Sequence, residues 1–201
     1  MIAANVDLMR LRAEQLCRWL HNDALPIWKR EGFCGEAGGF SEAISMNGKA
    51  VTAPCRGRVP PRQIYCFSEA GSRGWHGDWR TPVIEGLGYF DRVYRLPSGF
   101  YGALATREGA LIDSNFDLYN QAFAILAFAH AAKALPETTL EMSARASSLL
   151  LGLKSEYAHS YAGFEEATPA RTPLRSNPHM HLFEAALACE ELEGFEKQTW
   201  L

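Results

Sequence analysis

The segment from Arg171 to Glu184 gathers more chemistry-bearing side chains than any other part of the chain: Arg171, Arg175, Asn177, His179, His181 and Glu184. Pro178 predicts a helix start, because proline is tolerated in the first helical turn. His181 and Glu184 then fall three residues apart on one helical face. The opening turn of a helix carries partial positive charge and disfavours an imidazolium. A histidine there stays near neutrality and can accept a proton. The same spacing suits two metal ligands, but it identifies no third. A hydrogen-bonded structural histidine leaves the same trace, so both readings stay open on the residues alone.

Two more positions carry polar groups at helical spacing. Arg62 is followed three residues later by Tyr65. Its planar donor fork suits hydroxyl or carboxylate oxygens, or a surface salt bridge. Asp117 and Gln121 are four apart within an otherwise apolar stretch. Buried polar groups need partners, which either a wet cavity or a bond between the two would supply. Trp75, Trp79, Tyr89 and Phe90 offer a sugar-stacking wall or plain core. His76, His130 and His159 have no supporting neighbours in the sequence.

These candidates fall at matching places in a weak internal repeat. Gly39-Phe40 recurs as Gly99-Phe100 and as Gly163-Phe164. Each copy is followed by a helical stretch with a polar residue near its start, namely Arg62, Gln121 and His181. Repeats of this size, each one supersecondary unit, imply stacked helix pairs. In a toroid the three polar residues point to one axial pocket.

Hydrophobic spacing predicts helices over 5–31, 61–72, 75–95, 115–135, 137–155 and 178–192. Asn5 is the expected cap of the first, whose apolar positions are Val6, Leu8, Met9, Leu16, Trp19 and Leu20. The stretch 115–135 is apolar on nearly every side, which implies a helix buried all round, and Pro136 stops it. The Gly-, Ser- and Asn-rich segments 33–56 and 97–114 predict small hairpins. The expectation is an all-α arc of three helix pairs with short β-hairpin loops, forming one domain over residues 1–201.

The chain's 201 residues include 20 Lys and Arg against 23 Asp and Glu, a net charge of −3. That balance gives no clustered basic footprint for nucleic acid. No apolar run approaches the roughly 20 residues of a membrane span. Asp7, Arg10 and Arg12 interrupt the N-terminal segment where a signal peptide is apolar, so a cytoplasmic protein is expected. Cys17, Cys34, Cys55, Cys66 and Cys189 are odd in number and form no CxxC pair. Reduced thiols are therefore expected, with neither a disulfide framework nor a metal site.

The run Arg175-x-Asn177-Pro178-His179-Met180-His181-Leu182-x-Glu184-Ala185 resembles the signature of the N-acylglucosamine 2-epimerase family, which includes cellobiose 2-epimerases and mannose isomerases. The likeness extends to Leu25-Pro26-x-Trp28, Gly38-Gly39-Phe40-x-Glu42, Arg62-Gln63-x-Tyr65-x-Phe67 and Asp117-Leu118-Tyr119-x-Gln121-Ala122-Phe123. It implies an (α/α)6 barrel, of which this chain would be the N-terminal half. The implied activity is 2-epimerisation of an open-chain aldose, or aldose–ketose isomerisation, through an enediolate and without a cofactor or metal. By motif, His181 is an acid–base residue, Glu184 assists it, and Arg62 stabilises the enediolate. Asn177, Gln121, Asp117, Tyr65 and Arg171 are the implied substrate-binding residues.

The sequence departs from the family in three ways. The second catalytic histidine belongs to the half this chain lacks, Gln121 stands where many epimerases have histidine, and Asn120 replaces the usual aspartate. A half-barrel exposes edges that its other half would cover. A homodimer or a complementary C-terminal half is therefore an expected partner, beside the sugar itself. The rival reading from another class is a non-catalytic sugar-binding or oligomerising remnant. A glycoside hydrolase ranks third, because it needs two carboxylates flanking a cleft.

Overall fold

Described over residues 2–195, the computed structural model opens with one long helical run. Helix α1 (Ile2–Trp19) winds on through wider π-helical turns at Leu20–Ala24 and Trp28–Gly32, with α2 (Leu25–Ile27) between them. Because α1 starts by Ile2, Asn5 lies inside its first turn and is not its cap. The hairpin β1 (Phe33–Cys34) and β2 (Gly39–Phe40) follows. Strand β3 (Cys55–Arg56) leads into α3 (Val59–Ser72) and α4 (Arg80–Tyr94). Strands β4 (Leu104–Ala105) and β5 (Leu111–Asp113) join β3 in a three-stranded antiparallel sheet, order β3-β4-β5. Then come α5 (Leu118–Ala134), a 3-10 turn at Pro136–Thr138, α6 (Thr139–Glu156) and α7 (Ser176–Cys189).

Proline places the helix starts as expected. Pro60 and Pro61 occupy the first turn of α3, and Pro178 occupies the first turn of α7, where a missing N–H costs nothing. The expected helix over 75–95 is shorter, because Gly74 takes a left-handed φ of 82°. Asp78 Oδ1 then accepts from the Thr81 amide at 3.2 Å, and α4 begins at Arg80.

The repeat is structural. After each outer helical stretch the chain reverses at a glycine with positive φ: Gly38 at 75°, Gly99 at 90° and Gly163 at 73°. Side chains are strained in that region, so glycine is what the reversal requires. Each turn is closed by an antiparallel pair: Phe33 with Phe40, Arg95 with Tyr101, and Ala158 with Phe164. The chain then runs into α3, α5 and α7 respectively.

Helix α5 lies at the centre, with α3 on one flank, α7 on the other and α6 behind it, while α4 backs α3. Every residue of α5 from Leu118 to Ala132 is buried except Tyr119 and His130. Its alanines let neighbouring helices approach closely, and Ile125, Leu126 and Phe128 each contribute roughly 1.5–3 kcal/mol by burial. Tyr89 and Phe90 are buried, and Trp75 and Trp79 pack against the same core. The four aromatics are thus core, and none of them forms a sugar-facing wall.

Helix α1 departs from expectation. Its helical apolar pattern is real, but every residue from Val6 to Leu20 is exposed, including Met9 at 73% and Leu16 at 65%. No described helix of the arc covers that stripe. Among the described residues no helix is long and apolar enough to cross a membrane.

Candidate active site

The N-terminal ends of α3, α5 and α7 open on the same side of the arc, together with the loops that precede them. Between them lies a cavity of about 530 Å³ lined by Arg58, Arg62, Asp117, Tyr119, Arg171 and Asn177, among others. Four of the expected site residues, Arg62, Asp117, Arg171 and Asn177, thus meet in its lining from segments far apart in sequence, whereas His181, Glu184, Gln121 and Tyr65 do not line it.

Asp117 fixes the start of α5. Its Oδ1 accepts from the Tyr119 amide at 2.9 Å, a helix cap, and its Oδ2 lies 3.6 Å from an Arg58 nitrogen. The Arg58 guanidinium stands 5.2 Å from the Tyr119 ring centre, and that of Arg62 stands 4.7 Å from the Phe123 ring centre. His181 packs against the same pair of rings, 5.2 Å from Tyr119 and 4.7 Å from Phe123. Two aromatic side chains of α5 thus contact both the arginines at the start of α3 and the histidine of α7. His181 Nδ1 lies 2.9 Å from Glu184 Oε2. With a carboxylate as acceptor, the proton sits on Nδ1 and leaves Nε2 as the basic nitrogen.

Gln121 is placed differently from expectation. It is fully buried, and its amide is spent on the backbone of another loop. Oε1 accepts from the Tyr101 N–H at 2.9 Å; Nε2 donates to the Tyr101 carbonyl at 2.9 Å and to the Asp117 carbonyl at 3.2 Å. Its neighbour along the helix face is the core and not the cavity, so of the three repeat-related polar residues expected in one axial pocket only Arg62 lines the cavity. Tyr65 also lies outside the cavity lining, its ring edge-on to His130 at 4.6 Å. Burial, reinforced by the Glu69 charge, holds its phenol above the usual range.

One polar group escaped the sequence reading. His130 Nδ1 lies 2.7 Å from Glu69 Oε1, and Arg73 Nε donates to the other oxygen at 2.8 Å. Burial pushes the His130 imidazole below its ordinary range, and the Glu69 hydrogen bond offsets this only in part. Glu69 also feels burial, but its bonds to Arg73 and His130 outweigh that and hold the carboxyl low. Glu184 acts electrostatically on both Tyr65 and His130, which sets this group beside the His181 pair. Arg62, Tyr65 and Glu69 share one face of α3 at i, i+3 and i+7, but only the fold brings His130 of α5 against that face.

The carboxylates of the cavity are mostly committed to arginines. Asp117 faces Arg58, and the buried Glu166 accepts from both the backbone N–H and the Nε of Arg175. This leaves no free pair flanking the cleft of the kind a glycosidase uses. Among the described residues, no group of three or more His, Cys, Asp or Glu is placed to hold a metal ion.

Three inner helices, backed by outer ones and opening their N-terminal ends on one cavity, are the architecture of half an (α/α)6 toroid. The sequence profile described as N-acylglucosamine 2-epimerase (GlcNAc 2-epimerase) matches residues 38–201. The chain belongs to that family. A curated relative, the mannose-6-phosphate isomerase of Rhizobium meliloti (strain 1021), is 57% identical over 192 residues, covering 96% of this chain and 50% of that protein. A solved sugar epimerase from a ruminal bacterium superposes with a TM-score of 0.81 at 18% identity, over 93% of this chain and 51% of that one. Cellobiose 2-epimerase from Bacillus thermoamylovorans B4167 gives 0.82 at 16% identity, over 94% and 53%. The chain thus spans about half the length of the relatives it matches.

Proposed function

We propose that this chain is one half of a sugar epimerase or isomerase, folded as a single domain over residues 1–201, and that it carries one acid–base side of the reaction. The supporting observation is the His181–Glu184 pair, whose imidazole packs on Phe123, the ring over which Arg62 stands at the cavity. In this reading Nε2 of His181 removes the C2 proton of an open-chain aldose. The C–H electron pair moves into the C1–C2 bond, and the charge that collects on the C1 oxygen is met by the Arg62 guanidinium. Asn177 and Tyr119 border the same space and hold sugar hydroxyls. Asp117 acts through Arg58, and Arg171 through the loop before α7.

A single base serves one face of the enediolate. Returning the proton to C2 regenerates the same sugar, and delivering it to C1 gives the ketose. Inversion at C2 needs a donor on the opposite face, which a complementary half would supply. The sugars to test are mannose, glucose, fructose and N-acetylmannosamine, together with mannose 6-phosphate, prompted by the name of the relative. Incubated in deuterated water with the purified chain, at least one of them should exchange its C2 proton, and His181→Ala should abolish the exchange. No exchange on any sugar from a folded sample overturns the catalytic reading.

A second reading rests on a specific observation. Both ends of the arc carry exposed apolar stripes: Val6, Met9, Leu16 and Leu20 on the first helical run, and Met180, Phe183 and Leu187 on α7. These suit a sugar-binding or oligomerising module whose edges await a partner, and sugar binding without exchange favours it.

A further inference from the structure

The cavity holds five arginines, Arg56, Arg58, Arg62, Arg171 and Arg175, against three carboxylates, Asp113, Asp117 and Glu166. A neutral sugar needs few charged donors, and like charges crowded around one space repel each other unless something anionic offsets them. The ion pairs do not remove the surplus. Arg56 turns to Glu42, Arg58 to Asp117 and Arg175 to Glu166. Among the described residues, Arg62 and Arg171 have no carboxylate within ion-pair distance.

Two of the five stand on the loop that leads into α7. Arg171 is exposed and makes no ion pair among the described residues. Arg175 is held by its backbone N–H and Nε on the buried Glu166, which is 4% exposed. The two terminal nitrogens of Arg175 have no hydrogen-bond partner among the described residues, on a side chain that is 68% exposed. The loop itself is anchored, since Glu166 O accepts from the Leu118 amide at 3.0 Å and Ala167 pairs with Asp117. A fixed guanidinium fork beside a free one matches a phosphate group. The positive end of the α7 dipole adds to the field there.

We infer that Arg171 and Arg175 form an anion subsite that holds a phosphate monoester on the substrate, at the far end from the reacting carbon, while Arg62 serves the C2 end. This assignment rests on the sugar-isomerase reading for its substrate, but the subsite is testable by binding alone.

Calorimetric titration of the purified chain with mannose 6-phosphate, mannose and inorganic phosphate is the test. Mannose 6-phosphate should bind about tenfold or more tightly than mannose, as a hydrogen bond to a charged group implies. High salt should shrink that advantage. Arg171→Gln removes a side chain that nothing in the fold relies on. It should lose most of the advantage of mannose 6-phosphate over mannose, and unfolding by urea should confirm unaltered stability. Tight inorganic phosphate binding that Arg171→Gln leaves intact overturns the assignment, as does equal affinity for the two sugars or no binding at all. Preferential binding without C2 exchange on any sugar keeps the subsite and discards the catalysis. Exchange on neutral sugars with no preference for the phosphate does the reverse.

Discussion

His181 Nδ1 and Glu184 Oε2 stand 2.9 Å apart on successive turns of α7. The pair dictates which imidazole nitrogen carries the proton of the neutral ring. If Glu184 holds the Nδ1 proton, Glu184→Gln keeps a hydrogen bond but no longer fixes the tautomer or stabilises the imidazolium that forms. Exchange at C2 should fall about 100-fold or more in His181→Ala and by a smaller factor in Glu184→Gln. Measured by NMR in deuterated water, an unchanged rate in both variants sinks the acid–base assignment.

Much of this arrangement was legible in the sequence. Proline positions and apolar spacing located the inner helices, and the stretch 115–135, apolar on nearly every side, announced the buried centre. The Gly-Phe repeat marked the turns because its glycines adopt a conformation other residues resist. Other features lay outside local pattern. Whether Gln121 faced a cavity or the core depended on Tyr101, a loop residue from the preceding unit. The His130–Glu69 contact joins α5 to α3, and no spacing along one helix reveals such a contact. The stripe on α1 was read correctly as helical, yet periodicity cannot say whether anything covers it.

Buried amides on α5 give opposite predictions at adjacent positions. Gln121 satisfies both backbone groups of Tyr101, so Gln121→Ala leaves a buried N–H and a buried C=O unpartnered. That should cost about 2 kcal/mol or more. Asn120 is 1% exposed, and its side-chain nitrogen and oxygen make no hydrogen bond among the described residues. Asn120→Leu removes an unmet polar requirement at similar volume and should raise stability by about 1 kcal/mol. Urea unfolding of both variants decides the matter, and a destabilised Asn120→Leu contradicts the burial argument.

The thiols divide by burial. Cys55 and Cys189 are buried, and loss of solvation pushes each up to about 12. Thiolate is the reactive form, so neither should react with a thiol reagent at pH 8 while the chain is folded. Cys66 is exposed too, but burial around its thiol pushes it up and should slow its reaction; Cys17 and Cys34 are exposed and should react at once. Mass spectrometry after brief labelling should show modification at these two and none at Cys55 or Cys189 until denaturant is added.

The His130–Glu69 contact predicts acid sensitivity of defined origin. The His130 imidazole titrates below its ordinary value of 6.5 in the fold. As pH falls through that value the unfolded chain gains a proton there before the folded chain does, so stability declines. Glu69, held low, adds a loss at still lower pH. His130→Gln keeps a donor toward Glu69 and removes the titration. Its stability should fall less than that of the parent between pH 7.5 and pH 5.5. An equal fall places the sensitivity elsewhere.

The two apolar edges make a prediction about assembly. If two arcs pair about a two-fold axis, α1 of one chain meets α7 of the other, and the same contact occurs twice. A single substitution on either edge then damages both contacts. Leu16 is 65% exposed and Phe183 is also 65% exposed, so a charge at either position changes folding stability by only about 0.5 kcal/mol. The parent chain should sediment as a dimer at tens of micromolar. Leu16→Lys and Phe183→Lys should each shift it to monomer, and the double variant should add nothing further. A parent that is already monomeric removes the paired-arc arrangement. A dimer that only one of the two substitutions disrupts shows instead that like edges meet.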